Sequence, residues 1–260
     1  MPARPLLLLV FAVAALLTGA VASGAGAQDL VATIKTIKPS IVGVGSYRKT
    51  RRPPADLRGT GFVVADGRYV ITNAHVVAKA IDPSRGEFLA IFIGTGKRVE
   101  IRAVDLVAKD LDHDTAVLRL SGAPRPALAL GDDDALQEGR PIAFTGFPIG
   151  AVLGLYPVTH RGIVSARTPI AIPARAPSQL DSNMIRRLKE PYVVFQLDAT
   201  AYPGNSGSPL YDPATGAVYG IISSVFVKSS KERILSDPSG ITYAIPIRYA
   251  RDLLRGLGVP

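Results

Sequence analysis

Residues Asp198 to Leu210 read DATAYPGNSGSPL, a stretch in which Ser206 is wrapped by Gly204, Asn205 and Gly207 between prolines at 203 and 209. Pro, Gly, Asn and Ser are the residues of surface turns. They are also what a nucleophile on a tight loop requires, because glycine lets the backbone turn its N–H groups inward. The stretch leaves both readings open. What decides between them is whether the rest of the chain supplies a base, an acid and a scaffold.

The scaffold is legible in the patterning. From Ile41 onward, short runs rich in Val, Ile, Tyr and Phe recur between turn clusters: IVGVGSY, GTGFVVA, RYVIT, EFLAIFI, RVEIRAVDLVA, TAVLRL, PIAFTGF, VTHRGIVSA, YVVFQLD, AVYGIISSVFV and ITYAIPI. About eleven or twelve such strands with no long helix among them predict an all-β sandwich or a pair of barrels. Before them, Leu30, Ile34 and Ile37 fall at helical spacing, closed by Pro39. After them, Ala250, Leu253, Leu254 and Leu257 predict a helix over Ile247 to Leu257, with Arg248, Arg251 and Arg255 on its other face.

Composition narrows the class. The 260 residues are 47% hydrophobic and 20% charged, which supports a large core and argues against wholesale disorder. Lys and Arg exceed Asp and Glu by 30 to 21, a formal charge of +9 that favours anionic surfaces without naming one. Arg4, the apolar run Leu6 to Leu17 and the small residues ending at Ala27 form the three-part pattern of a secretory leader. Residues 1–27 are therefore expected to be removed and 28–260 to form the mature domain. The apolar run is short for a bilayer core of about 30 Å, so no stable membrane insertion is expected after removal. The chain has no cysteine, so it has no disulfide framework, and a domain of about 230 residues can stand on its core alone. A bacterial periplasmic or secreted location follows.

Two segments interrupt the strands. Tyr47 to Arg58, YRKTRRPPADLR, is read as an exposed basic loop, and Arg167 to Pro191 as a proline-rich irregular one. Neither carries an aromatic platform or a groove-reading motif, so no nucleic-acid partner is expected.

Three histidines exist, and all precede Ser206. That order excludes the α/β-hydrolase arrangement, in which the histidine follows the nucleophile. Their positions, 75, 113 and 160, have no paired ligand spacing, so no zinc site and no cofactor are expected. His75 stands at the end of an apolar strand in RYVITNAHVV, where a helical turn begins. Asp114, in KDLDHDTAVLRL, immediately precedes another strand, with Asp110 and Asp112 as solvated competitors. Separations of 39 residues from His75 to Asp114 and 92 from Asp114 to Ser206 put the three on different strands and loops.

GTGFVVADGRYVITNAHVV, DHDTAVLRL, GIVSA, FQLDATAYPGNSGSPL and ITYAIP together resemble the HtrA/Deg-like serine proteases of the trypsin superfamily, from about Leu30 to Leu254. The resemblance implies two six-stranded antiparallel β-barrels, an active site between them, and a triad of His75, Asp114 and Ser206. Ser208, Thr115 and Tyr202 depart from the usual glycine, leucine and asparagine. No PDZ domain is expected within this chain, so regulation by a tethered peptide-capture domain is not expected either.

The chemistry also fits the residues by themselves. A serine hydroxyl needs a base, His75, and that base needs Asp114 to fix its tautomer and stabilise the imidazolium. The loop of Gly204, Asn205 and Ser206 would form the oxyanion site, with the N–H groups of Gly204 and Ser206 as donors. SIVGVG, from Ser40, resembles the new amino terminus of digestive zymogens. However, Asn205 is neutral and cannot pair with an ammonium, so Ile41 is read as an ordinary first strand. In the trypsin superfamily that the chain resembles, the residue six before the nucleophile lies at the floor of the primary pocket, so the resemblance places Thr200 there. Ile222, Ser223 and Ser224, with Ile241 to Ala244, are expected as its walls, a set suited to small or aliphatic side chains. The reading is an exported endopeptidase acting on protein substrates, some of them unfolded. The alternatives are a proteolytically weak binding or chaperone-like module and an esterase on the same scaffold.

Overall fold

The computed structural model describes residues 25–96, 98–148, 154–169, 191–223 and 241–260. The leader up to residue 24, Ser224 and positions 170–190 of the proline-rich segment lie outside these residues.

Strands β1 (Ile41–Tyr47), β2 (Ala55–Val64), β3 (Tyr69–Thr72), β4 (Phe88–Thr95), β5 (Arg98–Asp110) and β6 (Thr115–Leu120) close a barrel in the order β1-β2-β3-β6-β5-β4. A second closed barrel follows from β7 (Pro141–Gly146), β8 (Val158–Pro169), β9 (Val193–Asp198), β10 (Pro209–Tyr211), β11 (Val218–Ser223) and β12 (Ile241–Pro246), in the order β10-β11-β12-β9-β8-β7. Every named pairing is antiparallel. Among the described residues, two α-helices flank the barrels, α1 (Ala25–Ile37) and α2 (Arg248–Gly256). The expected all-β fold of two six-stranded barrels is the one observed.

The near-continuous apolar runs have a structural cause. Successive strand residues point to opposite faces, and here both faces are buried. Val63 packs inside the first barrel with Val42, Val44, Val70, Ile91 and Leu118, while its neighbours Phe62 and Val64 join a different cluster. That cluster also holds Phe147, Tyr211 and Ile245 of the second barrel, with Ile37 and Leu254 of the helices, so it joins Phe62 and Val64 of the first barrel to all three. In the second barrel, Phe144 and Ile222 fill the interior while Ala143 and Ile221 face the shared cluster. The two barrels are thus held by one continuous apolar seam, and the loops that meet along it are fixed relative to each other.

β10 is the strand that patterning does not reveal. It is three residues long and opens with Pro209, which lacks an N–H, so it carries neither the length nor the composition of a strand signal. Leu257, assigned to the buried face of the last helix, is 38% exposed, because the helix ends one residue earlier.

The basic loop is shorter and less exposed than expected. β2 already begins at Ala55, and the side chains of Arg51 and Arg58 are only 19% and 9% exposed. Arg51 donates from Nη1 to Glu87 Oε1 (2.8 Å) and from Nη2 to the carbonyls of Ser46 (2.9 Å) and Pro54 (3.0 Å). Arg58 donates from Nη2 to Ser46 Oγ at 2.9 Å. The acid that draws these arginines inward, Glu87, lies on a distant segment, so the local sequence gives no hint of it.

Glu87 therefore links this loop to acid stability. Its carboxyl is held at about 2, chiefly by the Ser46 hydroxyl, which donates to it at 2.5 Å; burial opposes this, and the amide of Asp82 and Arg51 reinforce it. A depressed folded value means stability that is complete above the ordinary glutamate range and lost as pH falls from about 4.5 towards 2. Thermal unfolding from pH 5 to 2 should therefore show Tm falling more steeply in the wild type than in Glu87→Gln, which should already be the less stable protein at pH 7. Parallel curves for the two would remove Glu87 as the cause.

Candidate active site

His75 occupies a short 3-10 turn, Ala74–Val77, directly after β3. Asp114 is the last residue of the turn between β5 and β6, and Ser206 lies on the loop leading to β10. The structure brings the first two together. His75 Nδ1 lies 2.8 Å from Asp114 Oδ2, and the backbone N–H of His75 donates to Asp114 Oδ1 at 2.9 Å. Ser223 Oγ donates to Oδ2 at 3.3 Å. Asp114 is 6% exposed, and these donors, aimed at both of its oxygens, replace the water that a buried carboxylate gives up.

The backbone of Asp114 has φ of 48°, in the left-handed region that side chains other than glycine, asparagine and aspartate avoid. Its carbonyl is held from β3's end, accepting from Asn73 Nδ2 (3.0 Å) and Ala74 N (3.1 Å). The acid and the base are thereby fastened at side chain and backbone alike.

The serine loop is attached to the first barrel through Thr60 of β2. Its N–H donates to the Ser206 carbonyl (2.8 Å) and its hydroxyl to the Gly204 carbonyl (2.7 Å). Thr72 Oγ1 in turn donates to the Thr60 carbonyl at 2.7 Å. Gly207, at φ 88°, is required here, since a Cβ on it would lie 2.0 Å from the Thr60 carbonyl oxygen.

Tyr202 to Asn205 form a turn closed by the Asn205 N–H donating to the Tyr202 carbonyl at 3.0 Å. Pro203 sits at its second position and Gly204, with φ of 100°, at its third, the arrangement of a type II turn. The Asn205 amide is committed to that turn, and the donors expected from sequence are its neighbours, the N–H groups of Gly204 and Ser206. The Gly204 N–H makes no hydrogen bond within the described residues. The Asn205 side chain is fully buried with neither amide atom bonded among the described residues, a burial that a neutral group survives without an ion-pair partner.

The expected pocket walls are placed differently. Ile222 is fully buried in the interior of the second barrel, and the Ser223 hydroxyl is turned onto Asp114. Both residues are fully buried, and Ser224 lies outside the described residues. Thr200 is half-buried on a segment pinned to β12, where Thr242 Oγ1 accepts from Ala201 N (3.0 Å) and donates to the Ala199 carbonyl (2.6 Å). The other histidines lie apart from the cluster: His113 bonds Asp110, and His160 stacks on Phe144 with burial lowering its basicity. Asp110 is accordingly not a solvated competitor but a partner of His113. A cavity of about 660 Å³ lined by Leu30, Arg140, Arg161, Ile163 and Asp198 contains none of the three central residues. Among the described residues, no group of His, Asp and Glu is arranged to hold a metal.

Residues 59–221 match the family model of the trypsin-like peptidase domain, which is more than half of the chain. The chain belongs to the trypsin-like peptidase family. Among relatives of this trypsin-like peptidase, a probable periplasmic serine endoprotease, DegP-like, from Hahella chejuensis is 34% identical over 212 residues, covering 81% of this chain and 38% of that protein. Its counterpart from Halomonas elongata is 32% identical over 195 residues, covering 75% and 34%. The chain thus spans little more than a third of the length of these relatives. In fold, this trypsin-like peptidase is similar to the HtrA-type protease AlgW with decapeptide, with a TM-score of 0.64 and 24% identity over 87% of this chain and 66% of that one.

Three contributors escaped the sequence reading. Thr60, Thr72 and Asn73 act through distant partners, and a threonine in an apolar strand carries no local sign of it. Ser223 was noticed, but for the pocket rather than for the acid.

Proposed function

We propose that this chain is an exported serine endopeptidase that hydrolyses protein substrates through an acyl-enzyme formed by His75, Asp114 and Ser206. The observation that carries the reading is the 2.8 Å contact of His75 Nδ1 with Asp114 Oδ2, made between segments 39 residues apart. With Nδ1–H directed at the carboxylate, Nε2 is the nitrogen left to act on the serine. Ser206 Oγ attacks the scissile carbonyl carbon as Nε2 takes its proton, and the carbonyl π pair moves onto oxygen. The N–H groups of Gly204 and Ser206 receive that oxyanion, each such donor being worth about 3 kcal/mol in the transition state. His75 then gives its proton to the departing amine, and water, activated the same way, releases the acid product.

The type II turn supports this use of Gly204, since its N–H makes no hydrogen bond among the described residues. The burial of Ser40 and Ile41, 1% and 4% exposed, supports activity without zymogen cleavage between them. The leader pattern and the periplasmic names of the relatives support export. At the pocket floor Thr200 carries no charge, which favours cleavage after Val, Ala, Ile or Leu, with one methylene worth about 1 to 3 kcal/mol of selectivity.

Two measurements test the proposal. A fluorophosphonate probe should label the wild type and leave Ser206→Ala unlabelled. Cleavage sites mapped on an unfolded protein library should follow small aliphatic residues. Labelling without proteolysis would point to an esterase, absence of both to a binding module, and dominant cleavage after Arg or Lys would overturn the pocket assignment.

A further inference from the structure

The turn that presents Asp114 is built around a histidine with no part in the proposed chemistry. β5 and β6 pair as far as Asp110 opposite Thr115, and the four residues beyond that last pair include Asp114 itself. Ladder pairing therefore fixes the strands but not the carboxylate. Asp110 closes the turn from one side: its Oδ1 accepts from the amides of Asp112 (2.9 Å) and His113 (3.0 Å), and its Oδ2 lies 2.6 Å from His113 Nδ1. From the other side the His113 ring stacks on Tyr249, with centroids 3.7 Å apart and planes at 12°, and meets the edge of Tyr192 at 4.7 Å. Tyr249 belongs to α2, whose first residue is anchored by Arg248 donating from N (3.1 Å) and Nε (2.5 Å) to Asp133. A rigid chain of contacts thus runs from the helix through Tyr249 and His113 to the residue beside it, Asp114.

We propose that His113 is a positioning residue, clamping the left-handed turn at Asp114 between Asp110 and the Tyr249 ring so that the carboxylate stays on His75. The proposal rests on the triad reading above. An aspartate tolerates φ of 48°, so what the surroundings must fix is the direction of its carboxylate rather than a strained backbone. On the far side, Asn73 and Ala74 hold only the carbonyl of Asp114. On the near side, Asp110 holds the amides of Asp112 and His113, Thr115 Oγ1 donates to the His113 carbonyl at 3.0 Å, and the His113 ring ties the turn to the helix through Tyr249. The titratable groups around the ring are Asp110 and Asp112 of its own turn, Tyr192, and Tyr249 with its helix neighbours Arg248 and Asp252.

The test compares wild type, His113→Ala, His113→Asn and Tyr249→Leu in kinetics on a fluorogenic peptide from pH 5 to 9, in thermal unfolding, and in the deshielded proton NMR signal of the His75–Asp114 hydrogen bond. His113→Ala should lower kcat about tenfold with KM within about twofold, because a small misplacement costs rate rather than binding. The acidic limb of its pH profile should move down by about half a unit as the carboxylate stabilises the imidazolium less. The NMR signal should broaden or move upfield. His113→Asn, whose side-chain N–H can take the place of Nδ1–H towards Asp110, should recover most of the rate, and Tyr249→Leu should fall between. If His113→Ala loses only Tm, with kcat per folded molecule, pH profile and NMR signal all as in wild type, the proposal is overturned. It is equally overturned if asparagine does no better than alanine. The NMR signal judges the clamp even in a chain that hydrolyses nothing, so an inactive wild type counts against the function and not against the clamp.

Discussion

Ser206→Ala and His75→Ala should each lower kcat on a protein substrate about a million-fold, with the fold intact. Without the hydroxyl no acyl-enzyme forms, and without the imidazole the hydroxyl keeps its proton and remains a poor nucleophile. The two residues act as one unit, so the double variant should be no slower than either single one. Both changes are expected to spare the barrels, because neither side chain belongs to the apolar clusters that join them. His160→Ala and His113→Ala should remain active, the latter within the tenfold range argued for the clamp. Casein hydrolysis and fluorophosphonate labelling, each alongside circular dichroism, measure all of this. Full activity in Ser206→Ala purified away from host proteases would falsify the assignment.

Asp114→Asn should lower kcat by about four orders of magnitude while KM stays within a few-fold. The geometry gives the reason. His75 N–H, the Nδ1 side of its ring and the Ser223 hydroxyl all converge on the two carboxylate oxygens. An amide has only one acceptor oxygen and places donor hydrogens at the other position. If its oxygen keeps the His75 backbone N–H, its NH2 faces Nδ1. The ring must then accept there and carry its proton on Nε2, the nitrogen needed as base. Asp112→Asn should cost far less, and an equal loss from it would mean that the acid had been misassigned.

Much of this was legible beforehand because it is local. Strand runs bounded by turn residues gave eleven of the twelve strands, and β10 escaped because Pro209 and a length of three leave no pattern to read. Local position, where an apolar run meets a turn, made His75 and Asp114 candidates, and the family resemblance joined them to Ser206. The errors share a cause. Arg51 and Arg58 look solvated until Glu87 is folded against them, and Ile222 looks like a pocket wall until the parity of β11 turns it into the barrel interior.

The sequence by itself determined the strand-rich class, the residue types able to do acyl transfer, and, through Pro203 and Gly204, a tight turn before the serine, because φ preference and side-chain chemistry belong to single residues and their neighbours. Only the tertiary structure decided which donors reach Asp114, that Thr60 of the first barrel holds the serine loop of the second, and that His113 is braced by a helix more than a hundred residues later. Those contacts depend on how two barrels close and dock along a shared apolar seam. Barrel closure sums many weak packing terms over the whole chain, so no short stretch of sequence carries its outcome.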